Sequence, residues 1–199
     1  EQMSDIKNKY LNTVSSKLKK VSMLLQYTHE KIIENQEIKR LVYYNNRNPL
    51  SKKGLTYSNQ KVDQPDLTEE DVKDLITLLP FNPDMKIDLC SFIFLNTPSA
   101  TFSNGDNVIY LDINIVSPAE YFEITTGLRL YEISHKIANI FDGLYIDDED
   151  YIEELGNLKF VLDDIAVNRL SNNSSMLWSS MRFSIQIVPL SRVTKRCVI

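Results

Sequence analysis

The chain has 199 residues, 43% of them hydrophobic and 25% charged, a composition that excludes global disorder and suits one domain with a real core. No apolar run nears the roughly 20 residues that cross a bilayer, the polar residues 1–9 lack a signal-peptide core, and two cysteines alone, Cys90 and Cys197, far apart and without metal-type spacing, argue against a disulfide framework, so a soluble, intracellular protein is expected. The net charge of −5 is unevenly spread: residues 1–60 hold 11 Lys/Arg against 5 Asp/Glu, a surplus of +6, and residues 61–199 sum to −11.

In chain order, Val14, Leu18, Val21 and Leu25 fall on one helical line, with Lys17, Lys19 and Lys20 between them. Ile32, Ile33, Ile38, Leu41 and Val42 continue the signal. The pattern stops at Tyr44-Asn45-Asn46-Arg47-Asn48-Pro49, where proline pushes the preceding residue toward extended geometry. Residues 45–67, with Pro49, Gly54 and Pro65, read as a polar connector without structure of its own. Such segments are functional or mobile, and in an oligomer this one would lie across a neighbour. Thr68-Glu69-Glu70-Asp71 resembles a capping box, and Val72, Leu75, Ile76 and Leu79 predict a short amphipathic helix closed by Pro80.

Four strands follow. Residues 87–95 are apolar on both faces, which predicts a central strand. Ile109, Leu111, Ile113 and Ile115 alternate with Tyr110, Asp112 and Asn114, after a turn at Asn104-Gly105-Asp106. Leu158, Phe160 and Leu162 make a shorter strand. Met181, Phe183, Ile185 and Ile187 alternate with Arg182, Ser184 and Gln186, a half-buried strand. Between them Leu130, Ile133, Ile137, Ile140 and Phe141 form a helical stripe that Asp142-Gly143 ends as a C-cap. The expected fold class is α+β: a mostly antiparallel sheet of about four strands, one or two covering helices and a long N-terminal helix. The expected division is residues 1–66 as helical arm and connector, 67–190 as core domain and 191–199 as tail.

The chemistry-bearing motifs are absent. Five glycines leave no phosphate-cradling loop and no nucleophile elbow. His29 and His135 have no ligand partner at helical spacing, and His135 reads as a surface residue, since a catalytic base needs an orienting group. The acidic run Asp147, Asp148, Glu149, Asp150, Glu153 and Glu154 lacks the spacing and turn glycine of an EF-hand. It reads as an exposed loop, or as the foothold of a small metal-dependent hydrolase. The lysine-rich first helix leaves a nucleic-acid-binding regulator as a further alternative, against which the acidic body argues. No cofactor is expected.

Beside this reading stands a resemblance. The run Leu25-Gln26 through Glu34-Asn35-Gln36-Glu37-Ile38-Lys39-Arg40-Leu41-Val42-Tyr43-Tyr44, then Asn48-Pro49-Leu50-Ser51, resembles the opening of neck proteins of tailed bacteriophages. So does the strand over residues 108–116, followed by Thr126-Gly127-Leu128-Arg129-Leu130-Tyr131-Glu132-Ile133 and Leu155-Gly156-Asn157-Leu158-Lys159-Phe160. The insert 147–154 and the tail 188–199 depart from that pattern. The resemblance implies a non-enzymatic head-closure, adaptor or tail-terminator subunit, assembled in the host cytoplasm. It would form a ring between portal and tail whose lumen passes DNA without reading it, with no membrane contact. A ring needs head-to-tail contacts that close by rotation, and a basic head with an acidic body supplies complementary ones. The expected contact residues are Lys17, Lys20, Tyr43, Tyr44, Arg47, Pro49, Trp178, Arg192 and Arg196, with Asp147, Asp148, Glu149 and Asp150 facing the channel.

Overall fold

The computed structural model describes residues 2–51, 55–57, 60–62, 64–78, 91–102, 107–146, 151–152, 155, 158–169 and 175–187. A 33-residue helix, α1 (Gln2–Glu34), meets the short α2 (Gln36–Tyr43) at Asn35, whose side chain caps α2 by accepting from Ile38 N at 3.0 Å. A hairpin of β1 (Leu55–Tyr57) and β2 (Gln60–Val62) follows, then α3 (Glu69–Val72) and β3 (Ile76–Thr77). After these come β4 (Phe92–Phe102), β5 (Asn107–Pro118), the two-residue strands β6 (Glu123–Ile124) and β7 (Gly127–Leu128), α4 (Arg129–Phe141), β8 (Leu158–Arg169) and β9 (Met176–Ile187). The main sheet has the order β3-β4-β5-β9-β8. Every pairing in it is antiparallel except that of β3 on β4. The fold is α+β, with five strands in place of four.

Alternation decides the core. Ile109, Leu111, Ile113 and Ile115 of β5 and Met181, Phe183 and Ile185 of β9 share one sheet face and are all buried. Phe160 of β8 and Ile93 and Leu95 of β4 complete it. α4 covers this face with Leu130, Ile133, Ile137 and Phe141, and Leu24, Tyr27, Ile32, Ile38, Leu41 and Val42 of α1 and α2 join the same cluster. Residues 24–42 therefore share one core with the sheet. Phe141 packs tilted against Phe160 and edge-on against Phe183, at ring-centroid distances of 5.2 Å and 6.1 Å, and burying each such side chain contributes roughly 1.5–3 kcal/mol. Gly143, at φ +79°, ends α4 in the left-handed conformation that lacks a Cβ penalty, and its N–H donates to Phe160 O at 3.0 Å.

Several expectations need correction. Among the α1 side chains described, Leu24, Tyr27, Thr28, Ile32 and Ile33 are buried, while Leu18 is 66% exposed and Val21 and Leu25 are half-buried; the Val14 side chain lies outside the described residues. The spacing found an apolar line of which Val21 and Leu25 pack at the margin of the core, while the fully buried line lies one step round the helix. The helix predicted over Val72 to Leu79 stops at Val72. Its capping box is present, yet Ile76 leaves the helix to pair with Ile93, and Ile93 N donates to Leu75 O at 2.7 Å. The central strand is β5, with β4 beside it. β8, expected to be short, has 12 residues, and the connector carries the β1–β2 hairpin. Residues 79–90 and 103–106, with Leu79, Pro80, part of the predicted 87–95 strand and the Asn104–Asp106 turn, lie outside the described residues.

Both long flanking strands break their register. β4 is irregular between Asn96 and Ser99, around Pro98, and β8 between Leu162 and Asp164. Proline has no N–H for a ladder, so an irregular stretch near a sheet edge is where it fits. Irregularities and charges at edges also discourage pairing with further strands.

Candidate interface

The sheet face turned away from α4 is built from the alternate residues. Asn96, Asp112, Arg182 and Asp164 form one row across β4, β5, β9 and β8. Phe94, Asn114, Ser180 and Ala166 form the next. A carboxylate and an amide on a central strand are costly to bury without partners, and here each has them. Arg182 donates to Asp112 twice, Nε to Oδ1 at 2.8 Å and Nη2 to Oδ2 at 2.9 Å. Asn114 Nδ2 donates to Asn96 Oδ1 at 2.8 Å, and Asn114 Oδ1 accepts from Trp178 Nε1 at 3.2 Å. Ser184 Oγ donates to Asp163 Oδ1 at 2.9 Å. Asp112 and Asn114 are thereby buried, at 8% and 5% exposure, on the face without the helix.

The network is charged and reaches solvent. The Arg182 side chain is 50% exposed. Its hydrogen bonds to Asp112, with the charges of Asp112, Asp164 and Asp163, hold its pKa above the ordinary arginine value. Three carboxylates facing one guanidinium leave the centre of this face negative. Chemically it can present charge and hydrogen bonds in a fixed pattern, as the surface of a contact does.

A second arrangement fastens the connector. Arg129, wholly buried at the start of α4, donates from Nε to Tyr121 O at 2.8 Å, from Nη1 to Leu41 O and to Tyr44 O at 3.0 Å, and from Nη2 to Asn46 O at 2.7 Å. The carbonyls after α2 carry the partial negative charge of a helix C-terminus, which suits a cation. Burial pushes the Arg129 pKa down to about 10, so it stays charged at neutral pH. Arg40, buried on α2, donates to Gln64 O at 2.8 Å, Pro65 O at 3.0 Å and Ser51 O at 2.5 Å. Together the two arginines tie both ends of the connector to α2 and α4. Neither role was read from the sequence. The available signal was Arg129 falling in line with Ile133 and Ile137, on the apolar side of its helix.

The expected contact residues are distributed as follows. Lys17 and Lys20 are half-buried on α1, and Tyr43 is 40% exposed. Tyr44 is half-buried, its hydroxyl donating to Pro65 O at 3.1 Å and its ring 5.4 Å from the Arg40 guanidinium. Arg47 is exposed and its carbonyl accepts from Thr125 N at 2.6 Å; Pro49 is buried. Tyr43 and Tyr44 stand at the end of α2 and Arg47 and Pro49 on the connector that follows, whereas Trp178 belongs to the network on the sheet face turned away from α4. Arg192, Arg196, Asp147, Asp148, Glu149 and Asp150 lie outside the described residues. His135 is exposed, with Nε2 at 3.1 Å from Asn139 Nδ2, and His29 Nε2 lies 2.9 Å from Ile76 O. Among the described residues no three His, Cys, Asp or Glu side chains gather as a metal site, and no helix is long and apolar enough to cross a membrane.

Fold and surface thus define an α+β domain with one sheet face under a helix and the other carrying a charged network. The model of the YomW family matches residues 35–185; the chain belongs to that family, whose name is phage-derived. No curated protein matches it. Among solved structures, the chain is similar to a chain in one described as the virion of a native gene transfer agent particle. The identity is 12%, the match covers 58% of this chain and 80% of the other, and the TM-score is 0.36. So shallow a likeness carries no argument about role.

Proposed function

We propose that this protein is a non-enzymatic structural subunit of a tailed-phage virion. It forms a ring in the neck, joins portal or adaptor to tail, and lets DNA pass without reading its sequence. The observation that carries this reading is the open sheet face. Its side chains are spent on a hydrogen-bonded, charged surface, where an enzyme would converge reactive groups in a cleft. Membership of a family with a phage-derived name supports the setting, and the division of charge between residues 1–60 and 61–199 supports head-to-tail contact. In this reading the basic N-terminal region or the connector 45–67 touches a neighbouring subunit, and Asp147–Asp150 line the channel. Quantitative mass spectrometry of purified particles from the phage that carries the gene tests it. The protein should be present at the several copies per particle that a ring requires. Its absence from particles, with abundance in the infected cell, would contradict the proposal.

A further inference from the structure

Strand β8 is the last in the sheet, with β9 on its inner side. Residues 142–146 fill its outer side at the start. Phe160 N donates to Leu144 O at 2.9 Å, Gly143 N to Phe160 O at 3.0 Å and Leu162 N to Asp142 Oδ1 at 3.1 Å. The cover ends there. Among the described residues none pairs with the outer side of β8 beyond Leu162. Asp163, Asp164 and Ile165 are exposed, Ile165 at 43%. The irregularity between Leu162 and Asp164 sets which groups face out. Before it, Phe160 and Leu162 turn their N–H away from β9; one extra residue shifts the alternation by one, so after it Ile165 and Val167 turn theirs outward. The two exposed aspartates guard this edge against neutral and acidic strands and favour a basic one.

We infer that residues 188–199 of one copy add as a further strand to the Asp164–Arg169 edge of β8 in the next. The inference rests on the ring reading above and names one of its contacts. Charge selects the occupant: this segment, which lies outside the described residues, carries Arg192, Lys195 and Arg196 and no acidic residue. Its Val193, Thr194, Val198 and Ile199 favour extended chain. Residues 192–199 span roughly 26 Å when extended, at about 3.3 Å per residue, enough to run from Asp164 to Arg169. Position favours a second copy over the chain's own segment. β9 ends at Ile187, opposite Leu158, beside the stretch that residues 142–146 already fill, whereas the open stretch is at the far end of β8. Backbone hydrogen bonds would give such a contact its affinity and side-chain charge its specificity. Segment and edge are different surfaces of one chain, so the contact repeats from copy to copy and closes into a ring when the rotation permits.

A charge swap tests it in the full chain. R192E/K195E/R196E makes the segment acidic, and D164K/I165K makes the edge basic at two exposed positions; far-UV circular dichroism matching the parent's confirms that both variants fold. In sedimentation velocity each variant alone should associate at least tenfold more weakly than the parent protein. Their equimolar mixture should recover association, because an acidic segment then meets a basic edge and the reverse. Association as strong as the parent's in each variant alone, the result expected if the segment packs on its own chain, would overturn the docking while leaving the ring reading standing. Weakened variants whose mixture fails to recover would overturn the pairing of these two segments. A parent protein that stays monomeric would overturn both the docking and the ring.

Discussion

Arg129 carries the largest single stake at the level of individual residues. Its guanidinium answers four carbonyls that come from two separate parts of the chain, residues 41–46 and Tyr121. Lysine keeps the charge but has a single nitrogen on a flexible stem and cannot reach all four. Charge-assisted hydrogen bonds are worth about 1.5–3 kcal/mol each, and carbonyls left buried without donors add their desolvation cost. Arg129→Lys should therefore lower stability by about 2–4 kcal/mol, read as a fall in the urea midpoint at unchanged slope. An unchanged midpoint would mean that the clamp is decorative. Asp71 gives a pH-dependent counterpart at the surface. The Thr68 hydroxyl and then the Thr68 backbone N–H, both donating to its carboxylate, hold its pKa below the ordinary aspartate value. A depressed carboxylate stabilises the fold above its unfolded pKa and loses that contribution as pH falls through the folded one. The support it gives the start of α3 should thus be complete at neutral pH and fade below about pH 4. An NMR titration of the Asp71 carboxyl should show the lowered midpoint in the parent protein and a return toward the ordinary value in Thr68→Ala.

For the elements, α1 separates what periodicity reveals from what it hides. The buried line through Leu24 and Ile32 and the exposed Leu18 predict opposite outcomes for similar substitutions. Leu24→Ala leaves a cavity and should cost about 2–5 kcal/mol. Leu18→Ala should leave the thermal midpoint of the unassociated chain within error. Equal losses at the two sites would contradict the packing of α1. The same contrast explains how far the sequence could be read. β9, α4, its Gly143 stop and the capping box at Thr68 were legible because each is decided by local spacing or one cap. The fate of Ile76 was not, because its pairing with Ile93 is tertiary and outweighs a helical spacing. The central place of β5 was hidden for a related reason. Asp112 and Asn114 look like solvent-facing positions until Arg182, Asn96 and Trp178 arrive from other strands to satisfy them. The network on the open face was illegible in the same way: its members are scattered over residues 96–184, and only the strand register aligns them.

For the whole molecule, the account turns on distribution. In the proposed ring, the surplus of +6 in residues 1–60 meets the −11 beyond them where one copy contacts the next. Salt should weaken that contact, since exposed charges more than about 10 Å apart are screened at 0.1 M ionic strength. Mass photometry of the purified protein over a concentration series, at low and then at raised salt, tests this most directly. A discrete oligomer of fixed copy number that dissociates as salt rises is the predicted result; a monomer at every concentration and every salt would contradict it.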